Sequence, residues 1–518
     1  MPRILWVDDE IERLQAHILF LKEKGYEVAT ATNGDDALYK VKHQDFDLVL
    51  IDEMMPGKDG LTTLNEIKDL YPYLPVIMIT KNEEESLMEE AIGQRIDDYL
   101  TKPVNPSQIL MACKKILDRK NIIEERRTQV LSNQMSQLSL ALMNPLSIDD
   151  WIDLALKVFK LDMDLDELSD QNFRSILYEH RRELNVEFGK FIEKNYGAWV
   201  HSEGQANRPV FSTDIIKNYV LPLLKKGKKV AFIVIDCLRL DQWLSLEPYF
   251  SDWFRIEREH YYSILPTATP FSRNALFSGL FPEDIEKYYP DLWSLNEDDE
   301  SLNRYEKELL DLQLKRNGLD LGNKLKYVKI MNNEDLRRLN KSLNNLMDAR
   351  LLSIVVNIVD IIAHSRSDLP ILKEIAPDEA AFRTLTRSWF EHSPLLSIIR
   401  EIGKSGTVVF ITSDHGSVRG LRGTRVIGDR ETSTNLRYKY GRSLKADPKH
   451  TIFIKEPAEW RLPKRGINTT YVFAKEDFYL VYPTNYNKYL HYYKDSFQHG
   501  GVSLEEMLLP IVRLESKE

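Results

Sequence analysis

The chain has 518 residues, 43% of them hydrophobic and 29% charged, and a formal net charge of −10. An ordinary domain has about 100 to 200 residues, so we expect two or three domains that fold throughout. The acidic balance excludes a broadly basic surface that would coat nucleic acid, although a local basic groove is compatible with it.

Cysteine usage and the first residues indicate a cytoplasmic location. Cys113 and Cys237 are the two cysteines, which are too few for a disulfide framework or a thiolate zinc site. The sequence turns acidic by Asp8 and shows no basic segment followed by a long apolar stretch, so no signal peptide is expected. The apolar runs are far shorter than the roughly 20 residues of a membrane span, so no membrane-spanning segment is expected.

Short apolar runs alternate with helical patterns in a first domain, expected over residues 1–119. The runs occupy 3–7, 48–51 and 76–79. Such alternation predicts a parallel sheet whose ligands gather at the carboxyl ends of its strands.

A helical bundle is expected over residues 120–205. Strand patterns vanish there, and large apolar residues recur at helical spacing through 148–159 and 173–199. The bundle could be a spacer, or it could transmit a rigid-body change from the first domain. The sequence leaves both interpretations open.

Strand-like runs return in a third segment, expected over residues 206–518. They occupy 230–235, 354–359, 407–412 and 451–454. The sequence therefore predicts a multidomain α/β protein with a second α/β domain after the helical middle.

Five polar residues lie at expected strand ends of the first domain. Asp8, Asp9 and Asp52 would crowd three carboxylates together, an oxygen site suited to Mg²⁺. Thr80 and Lys102 could then contact a phosphoryl group on Asp52. One aspartate at a strand end is commonly a turn former, but the five together favour a phosphorylation site.

These residues resemble the receiver domain of response regulators. The resemblance implies a flavodoxin-like fold, phosphorylation of Asp52 by a sensor histidine kinase, and a Mg²⁺ ion on Asp8, Asp9, Asp52 and the backbone carbonyl of Met54. It also implies a cis peptide before Pro103, a switch formed by Thr80 and Tyr99, and a phosphorylation-dependent homodimer.

Four motifs in the third segment carry oxygen and nitrogen ligands. Asp236 follows the run 230–235, and Asp360 and His364 stand four residues apart, on one face if the segment is helical. Ligands of these types suit zinc, with manganese as the next candidate. The remaining ligands are Asp414, His415 and His499.

A hydroxyl group near the start of a helix is expected in the segment 265–282. Thr269 would lie at the helix amino terminus, which favours a phosphate or an alkoxide. Arg273 follows four residues later and would lie on the same face.

The third segment resembles the alkaline phosphatase superfamily. The segment Thr269-Pro-Phe-Ser-Arg273 is similar to the sulfatase signature, with threonine in place of the modified cysteine, which favours phosphoryl substrates. The segment Pro266-Thr-Ala-Thr269 resembles the nucleophile segment of nucleotide pyrophosphatases, which selects Thr269 over Thr267. The resemblance implies two Zn²⁺ ions and a threonyl-phosphate intermediate, with Arg273 balancing charge. One ion would bind Asp360, His364 and His499, and the other Asp236, Thr269, Asp414 and His415.

Within that superfamily the segment is most similar to the PglZ domain. A receiver, a helical middle and a PglZ domain together resemble the PorX-like family of response regulators, which is associated with type IX secretion. The resemblance thus implies a regulator of that secretion system.

A basic and aromatic segment favours phosphodiester substrates such as nucleotides or oligonucleotides. Basic side chains interleave with tyrosines there, as they would to hold phosphates and stack bases. An ordinary solvated segment is the alternative. The basic residues are Arg437, Lys439, Arg442 and Lys445.

A second function from a different class stays open. The chain could be a phosphorylation-switched binding protein that recruits a sigma factor or a sensor kinase through a non-catalytic PglZ domain. The intact ligand set favours the enzyme, because a buried carboxylate cluster is costly without its cations.

Overall fold

A computed structural model shows two compact units, Met1–Gln134 and Met135–Glu518. The structure describes residues 2–81, 96–166, 171–205, 207–293, 303–368, 370–429, 432–464, 466 and 468–517. The long helix Pro106–Ala141 contains the expected domain boundary at 119, and the one at 205 adjoins residue 206, which lies outside the described residues. These domain boundaries therefore stay predictions.

The first unit contains a parallel sheet in the order β2-β1-β3-β4-β5. This flavodoxin-like order confirms the predicted fold. Alternate residues of β1 pack into separate cores on the two faces of the sheet, Ile4 and Trp6 into one and Leu5 and Val7 into the other. The elements are β1 Arg3–Val7, α1 Gln15–Glu23, β2 Glu27–Ala31, α2 Gly34–His43, β3 Leu48–Asp52, α3 Gly60–Leu70, β4 Val76–Thr80, β5 Asp98–Thr101 and α4 Pro106–Ala141.

The helical middle, predicted from its spacing, is confirmed as α5 (Ile148–Asp166) and α6 (Gln171–Val200). The Trp151 and Phe188 rings pack edge to face across the two helices, with centroids 5.3 Å apart. Both helices belong to the second compact unit.

The second unit is built on a six-stranded sheet in the order β7-β19-β10-β6-β9-β8. Strands β10, β6, β9 and β8 are parallel, and β19 runs antiparallel between β10 and β7. The central strands are buried on both faces, as continuous apolar runs predict. The strands are β6 Val230–Ile235, β7 Phe254–Tyr262, β8 Leu325–Ile330, β9 Leu351–Val356, β10 Val408–Thr412 and β19 Leu508–Ser516.

One predicted strand needs correction. The run 354–359 is not a single strand, because β9 ends at Val356 and a helix begins at Ile358. An apolar run alone cannot distinguish a strand from a buried helix turn. The correction moves Asp360 into the first turn of that helix.

Helices pack against the large sheet, and residues 418–498 form smaller sheets. The helices are α7 Leu221–Lys225, α8 Leu240–Leu246, α9 Thr269–Ser278, α10 Pro282–Tyr288, α11 Glu306–Arg316, α12 Asn333–Ser342, α13 Ile358–Asp368, α14 Pro370–Ile375, α15 Glu379–His392, α16 Leu395–Lys404, α17 Tyr486–Tyr493 and α18 Leu504–Met507. The smaller sheets contain β11 Val418–Gly420, β12 Arg422–Ile427, β13 Tyr438–Gly441, β14 Lys445–Ala446, β15 Thr451–Ile454, β16 Thr470–Ala474, β17 Phe478–Val481 and β18 Ser496–Gln498. No helix in the described part of the chain is both long enough and apolar enough to cross a membrane.

Buried ion pairs hold the middle helices against α15. The Arg383 guanidinium binds Asp162 at 2.7 Å and Asp166 at 2.7 Å on α5, and Asp241 at 2.9 Å on α8. Removing one member of such a network leaves a buried charge without its partner, which is costly. The helical middle is therefore fixed to the sheet domain by charge as well as by apolar packing.

Candidate metal centre and active site

Three carboxylates converge at the strand ends of the first unit. Asp8, Asp9 and Asp52 offer ligand oxygens within 4.8 Å of one another. The Lys102 ammonium lies 2.9 Å from Asp52 Oδ1 and 3.2 Å from Asp8 Oδ2. Burial raises the pKa of Asp52, although Lys102 opposes the shift. The predicted set is thus assembled around one acidic centre.

Thr80 and Tyr99, two other predicted receiver residues, lie on the neighbouring strands β4 and β5. Thr80 is buried and its hydroxyl donates to the Glu53 carboxylate, while Tyr99 is 40% exposed. The Met54 side chain is exposed, which is compatible with a role for its backbone carbonyl alone. The peptide between Lys102 and Pro103 is cis, as expected from the resemblance.

Sequence reasoning missed Gly60, which lies against the backbone of Asp52. A Cβ atom at this position would collide with the Asp52 carbonyl oxygen. Glycine here lets α3 begin beside the acidic centre. A glycine eight residues after an acidic strand end could have indicated this close approach.

In the second unit, Thr269 begins α9 beside a buried ligand cluster. Its hydroxyl oxygen lies 2.9 Å from His415 Nε2 and 3.5 Å from Asp236 Oδ1. Pro270 is tolerated because the first helical turn needs no donor there. Asp236 follows β6, and Asp414 and His415 follow β10, so parallel neighbours bring these ligands together. The predicted helix start at Thr269 is correct.

A second cluster contains Asp360, His364 and His499. The two imidazole Nε2 atoms are 3.0 Å apart, and they lie 3.4 Å and 3.7 Å from Asp360 Oδ1. Asp360 and His364 share one face of α13, as their spacing predicted. The sequence-predicted ligands thus form two groups with the membership that the resemblance implied.

The two clusters are neighbours because β11 pairs with β18. This pairing sets Val418 opposite Gln498, which brings the residues flanking these strands together. The His415 and His499 rings consequently stack, with centroids 4.2 Å apart and an interplanar angle of 19°.

Glycines next to the histidines permit this approach. A Cβ atom on Gly416 would collide with the Glu505 carbonyl oxygen, and one on Gly501 with the Ala474 carbonyl oxygen. Gly500 adopts a φ of 117°, a region that side chains rarely adopt. The Asp-His-Gly and His-Gly-Gly motifs therefore have a steric cause.

Arg273 lies inside the first of these clusters and is fully buried. Its Nε donates to Asp414 Oδ2 at 2.9 Å, and its Nη2 pairs with Asp236. Its Nη1 also lies 3.2 Å from Asn357 Oδ1. The predicted contact of this side chain with a phosphoryl group stays a prediction, because its described partners are protein groups.

Burial is the largest single influence on the pKa values of Asp236, Asp414 and His499. It raises the pKa of Asp236 well above its usual value, although Arg273 opposes the shift. Burial also opposes ionisation of Asp414, but Arg273 and His415 outweigh it and hold that pKa low. Burial, reinforced by His415 and His364, lowers the pKa of His499 well below its usual value. A neutral His499 is the form that can donate an electron pair to a metal ion.

Two predicted substrate contacts are wrong. Arg437 is fully buried and binds both carboxylate oxygens of Glu506, at 3.1 Å and 2.6 Å. Lys439 is also buried, donates to the carbonyls of Ser433 and Asn435, and has its pKa lowered by burial to about 7. Both side chains are therefore occupied by partners inside the protein.

Arg442 and Lys445 are exposed, and their predicted substrate contacts stay predictions. Asn303, which sequence reasoning missed, donates through Nδ2 to the Thr269 carbonyl at 3.2 Å. Its position had no local motif that could have indicated it.

Three protein-family models match consecutive segments of the chain. A family model for the BREX system PglZ alkaline phosphatase-like domain matches residues 215–514, which is more than half of the chain. The response regulator receiver domain matches residues 4–114. The PorX response regulator linker domain matches residues 121–200.

Individual relatives match over part of their length. The chain is 34% identical over 117 residues to the transcriptional regulatory protein ResD of Bacillus subtilis (strain 168), covering 23% of this chain and 48% of ResD. It is 38% identical over 120 residues to the transcriptional regulatory protein BaeR of Escherichia coli O6:H1, covering 23% and 49%. The chain thus spans about half the length of these curated relatives. The CheY-like receiver domain protein from Methanospirillum hungatei JF-1, a solved structure, is 31% identical over 23% of this chain and 97% of that chain, with a TM-score of 0.23.

The fold and its two sites define a response regulator receiver domain joined to an alkaline phosphatase-like domain. The chain belongs to the PglZ family, and its receiver, linker and PglZ domain form the PorX-like architecture.

Proposed function

We propose that this chain is a two-component response regulator, phosphorylated on Asp52 by a sensor histidine kinase, whose output domain is a two-zinc phosphohydrolase. The observation that carries the proposal is the Thr269 hydroxyl, 2.9 Å from His415 Nε2 at the start of a helix and beside two neighbouring ligand clusters. A nucleophile at a helix amino terminus is suited to attack on phosphate.

The side chains of both clusters fit divalent metal ions. Asp360 Oδ1 is buried and has no hydrogen-bond partner among the described residues. Two imidazole nitrogens that converge with a carboxylate oxygen are a ligand set suited to a divalent cation. Asp360, His364 and His499 would hold one zinc ion, and Asp236, Thr269, Asp414 and His415 the other. When bound, these ions would acidify the Thr269 hydroxyl and neutralise charge on the phosphoryl group.

The hydrogen bond of His415 Nδ1 orients this ring so that Nε2 can act as a metal ligand. His415 Nδ1 lies 3.0 Å from the Gly416 carbonyl oxygen. A carbonyl only accepts, so Nδ1 carries the proton and Nε2 presents a lone pair toward Thr269 and Asp236.

The chemistry proceeds in two displacements at phosphorus. Thr269 Oγ1 forms a bond to phosphorus as the bond to the leaving oxygen breaks, the hydroxyl proton departs with the leaving oxygen, and the phosphoryl group is carried on Thr269. A water molecule then attacks the phosphorus, releases Thr269 and restores its hydroxyl proton. The amino terminus of α9 and the exclusion of water by its buried surroundings favour the charge that develops in each step.

Nucleotides or oligonucleotides joined by phosphodiesters are the proposed substrates. The exposed aromatic residues of α17 support this class better than the buried Arg437 and Lys439. Tyr489 and Tyr492 are 36% and 53% exposed, and the segment 483–494 has no acidic residue but contains Lys488, His491 and Lys494. Exposed rings beside cations can stack bases and attract phosphates.

The proposal has four further parts. The receiver binds Mg²⁺, and phosphorylation produces a homodimer. The chain regulates type IX secretion and has a sigma factor as a partner. The acidic centre around Asp52 supports Mg²⁺ binding in the receiver, and the other parts rest on the resemblance to the PorX-like family that the linker match strengthens.

The test is metal content by elemental analysis of the full chain, paired with hydrolysis of a chromogenic phosphodiester before and after chelation. About two zinc ions per chain and turnover that chelation abolishes and zinc restores are the expected results. Absence of zinc and of turnover after zinc addition would instead favour the phosphorylation-switched binding protein, and capture of a sigma factor by the phosphorylated chain would then test that function.

A further inference from the structure

Thr267 is a buried residue whose hydroxyl makes two hydrogen bonds to a distant loop. It is fully inaccessible to solvent. Its Oγ1 accepts a hydrogen bond from the Gly500 backbone N–H at 3.1 Å and donates one to the Gly501 carbonyl at 2.8 Å. One side-chain oxygen therefore uses both its donor and its acceptor capacity on adjacent residues of a single loop.

These bonds connect the two ligand clusters. Thr267 is two residues before Thr269, whose hydroxyl contacts His415 and Asp236. The loop that it binds begins directly after His499, which belongs to the other cluster. The Thr267 hydroxyl thus links the backbone that carries the nucleophile to the backbone that carries a ligand of the second cluster.

The loop after His499 needs such a tether. Gly500 has a φ of 117°, and adjacent glycines give the backbone more conformational freedom than other residues. The Gly501 N–H is held by Glu506 Oε1 at 2.9 Å, and Glu506 is itself held by Arg437. Thr267 supplies the remaining contacts, one to the Gly500 donor and one to the Gly501 acceptor.

We propose that Thr267 is a positioning residue that fixes His499 relative to Thr269 and so sets the arrangement of the two metal sites. The inference rests on the proposed function only in assigning metal ions to the clusters. The hydroxyl is the active group, because serine would preserve both hydrogen bonds and valine, of similar shape, would remove them.

The first test is zinc binding by the metal-free full chain, titrated against a competing chelator. Loss of a residue that orients a metal ligand weakens metal binding by about 10- to 100-fold. We therefore expect Thr267→Val to weaken one of the two zinc sites by that factor, and Thr267→Ser to retain both. Wild-type zinc affinity at both sites in Thr267→Val, or equal weakening in Thr267→Ser, would overturn the proposal.

Thr386→Val is the matched control. Thr386 is also fully buried, accepts from Gln242 Nε2 at 2.9 Å and donates to the Phe382 carbonyl at 2.9 Å. It belongs to neither cluster. Its substitution should lower thermal stability without selective loss of one zinc site, whereas a loss matching that of Thr267→Val would assign both effects to general destabilisation.

Amide hydrogen exchange tests the same tether without metal. In the metal-free chain we expect faster exchange of the Gly500 amide in Thr267→Val than in wild type, with wild-type exchange in Thr267→Ser. Unchanged exchange would overturn the proposal even if the wild type binds no zinc, and faster exchange with no zinc binding would reject the proposed function alone. If Thr267→Val fails to fold, Thr267→Ala is compared with Thr267→Ser in the same measurement.

Discussion

The stacked rings of His415 and His499 connect the two ligand clusters beside the proposed nucleophile Thr269. The His415 and His499 rings are 4.2 Å apart, and the Thr269 hydroxyl lies 2.9 Å from His415. The two clusters are therefore in direct contact through one pair of rings. Chemistry at Thr269 should depend on both clusters, and loss of either one should lower turnover.

Thr269→Ala tests the nucleophile. Without the hydroxyl no bond to phosphorus can form, so we expect turnover of a chromogenic phosphodiester to fall by roughly 10³-fold or more. Thr269→Ser is the matched control, because it keeps a hydroxyl at the same helix start. Initial rates and zinc content are measured together, and wild-type turnover in Thr269→Ala would reject this nucleophile.

Arg437 is expected to contribute to the stability of the fold. Replacing it by Met leaves the fully buried Glu506 carboxylate without its partner, a change that costs about 3–5 kcal/mol. We expect this decrease in the free energy of unfolding for Arg437→Met, measured by denaturant titration. The exposed Arg442 provides the control, since Arg442→Met should change stability by less than about 0.5 kcal/mol. Equal stability of the two variants would contradict the role of the ion pair.

Local sequence motifs identified the candidate metal ligands but not the residues that hold the ligand-bearing segments in place. Asp-His-Gly and His-Gly-Gly carry a visible pattern of chemistry, so His415 and His499 were predictable. Arg437 was placed wrongly because its partner Glu506 lies far along the chain, in a helix that only the fold brings beside it. For the same reason the hydrogen bonds of Thr267 to the loop after His499 could not be predicted.

At the scale of elements, the buried parallel strands were the most predictable. The predicted run 230–235 coincides with β6, because continuous apolar residues are typical of strands covered on both faces. The run 451–454 coincides with β15, although this strand is antiparallel to β16 and leaves Phe453 exposed. Strand β7 was missed, because the consecutive charged residues Glu257, Arg258 and Glu259 interrupt its apolar pattern. Helix α13 was partly assigned to a strand because its first residues prolong the apolar run of β9.

Helix α17 should contribute to the binding of long substrates. Tyr489 stacks against Tyr493 with ring centroids 5.8 Å apart, and Lys488 lies over the Tyr489 ring at 5.7 Å. Base stacking on an aromatic residue contributes about 1–3 kcal/mol. We therefore expect the double substitution Tyr489→Ala and Tyr492→Ala to raise KM for an oligonucleotide by roughly 10-fold or more.

Hydrolysis of a small chromogenic diester should be unchanged in that double variant, because such a substrate has no further base to stack. Tyr288→Ala, at another exposed tyrosine of the same unit, should leave both substrates unaffected. An unchanged oligonucleotide KM in the double variant would exclude α17 from substrate binding.

At the scale of the whole molecule, phosphorylation is expected to control association. The acidic centre of the receiver holds Asp52 beside Lys102, and a phosphoryl group there would add negative charge that Lys102 and Thr80 can bind. We expect a phosphoryl mimic to convert the wild-type chain from monomer to dimer in sedimentation equilibrium. Asp52→Ala should stay monomeric under the same conditions, and an unchanged wild-type mass would contradict the switch.

The position of β19 affects how the chain is made. This strand, Leu508–Ser516, lies between β10 and β7, although β6 is synthesised far earlier. At about 5–20 residues per second, roughly 15–60 s separate the synthesis of β6 from that of β19. For most of that interval β7 lacks its link to the sheet, and β10, which is synthesised later than β6 and β7, lacks its antiparallel neighbour until β19 follows. The nascent PglZ domain therefore presents open strand edges, which can pair with other chains, after the receiver sequence has been synthesised.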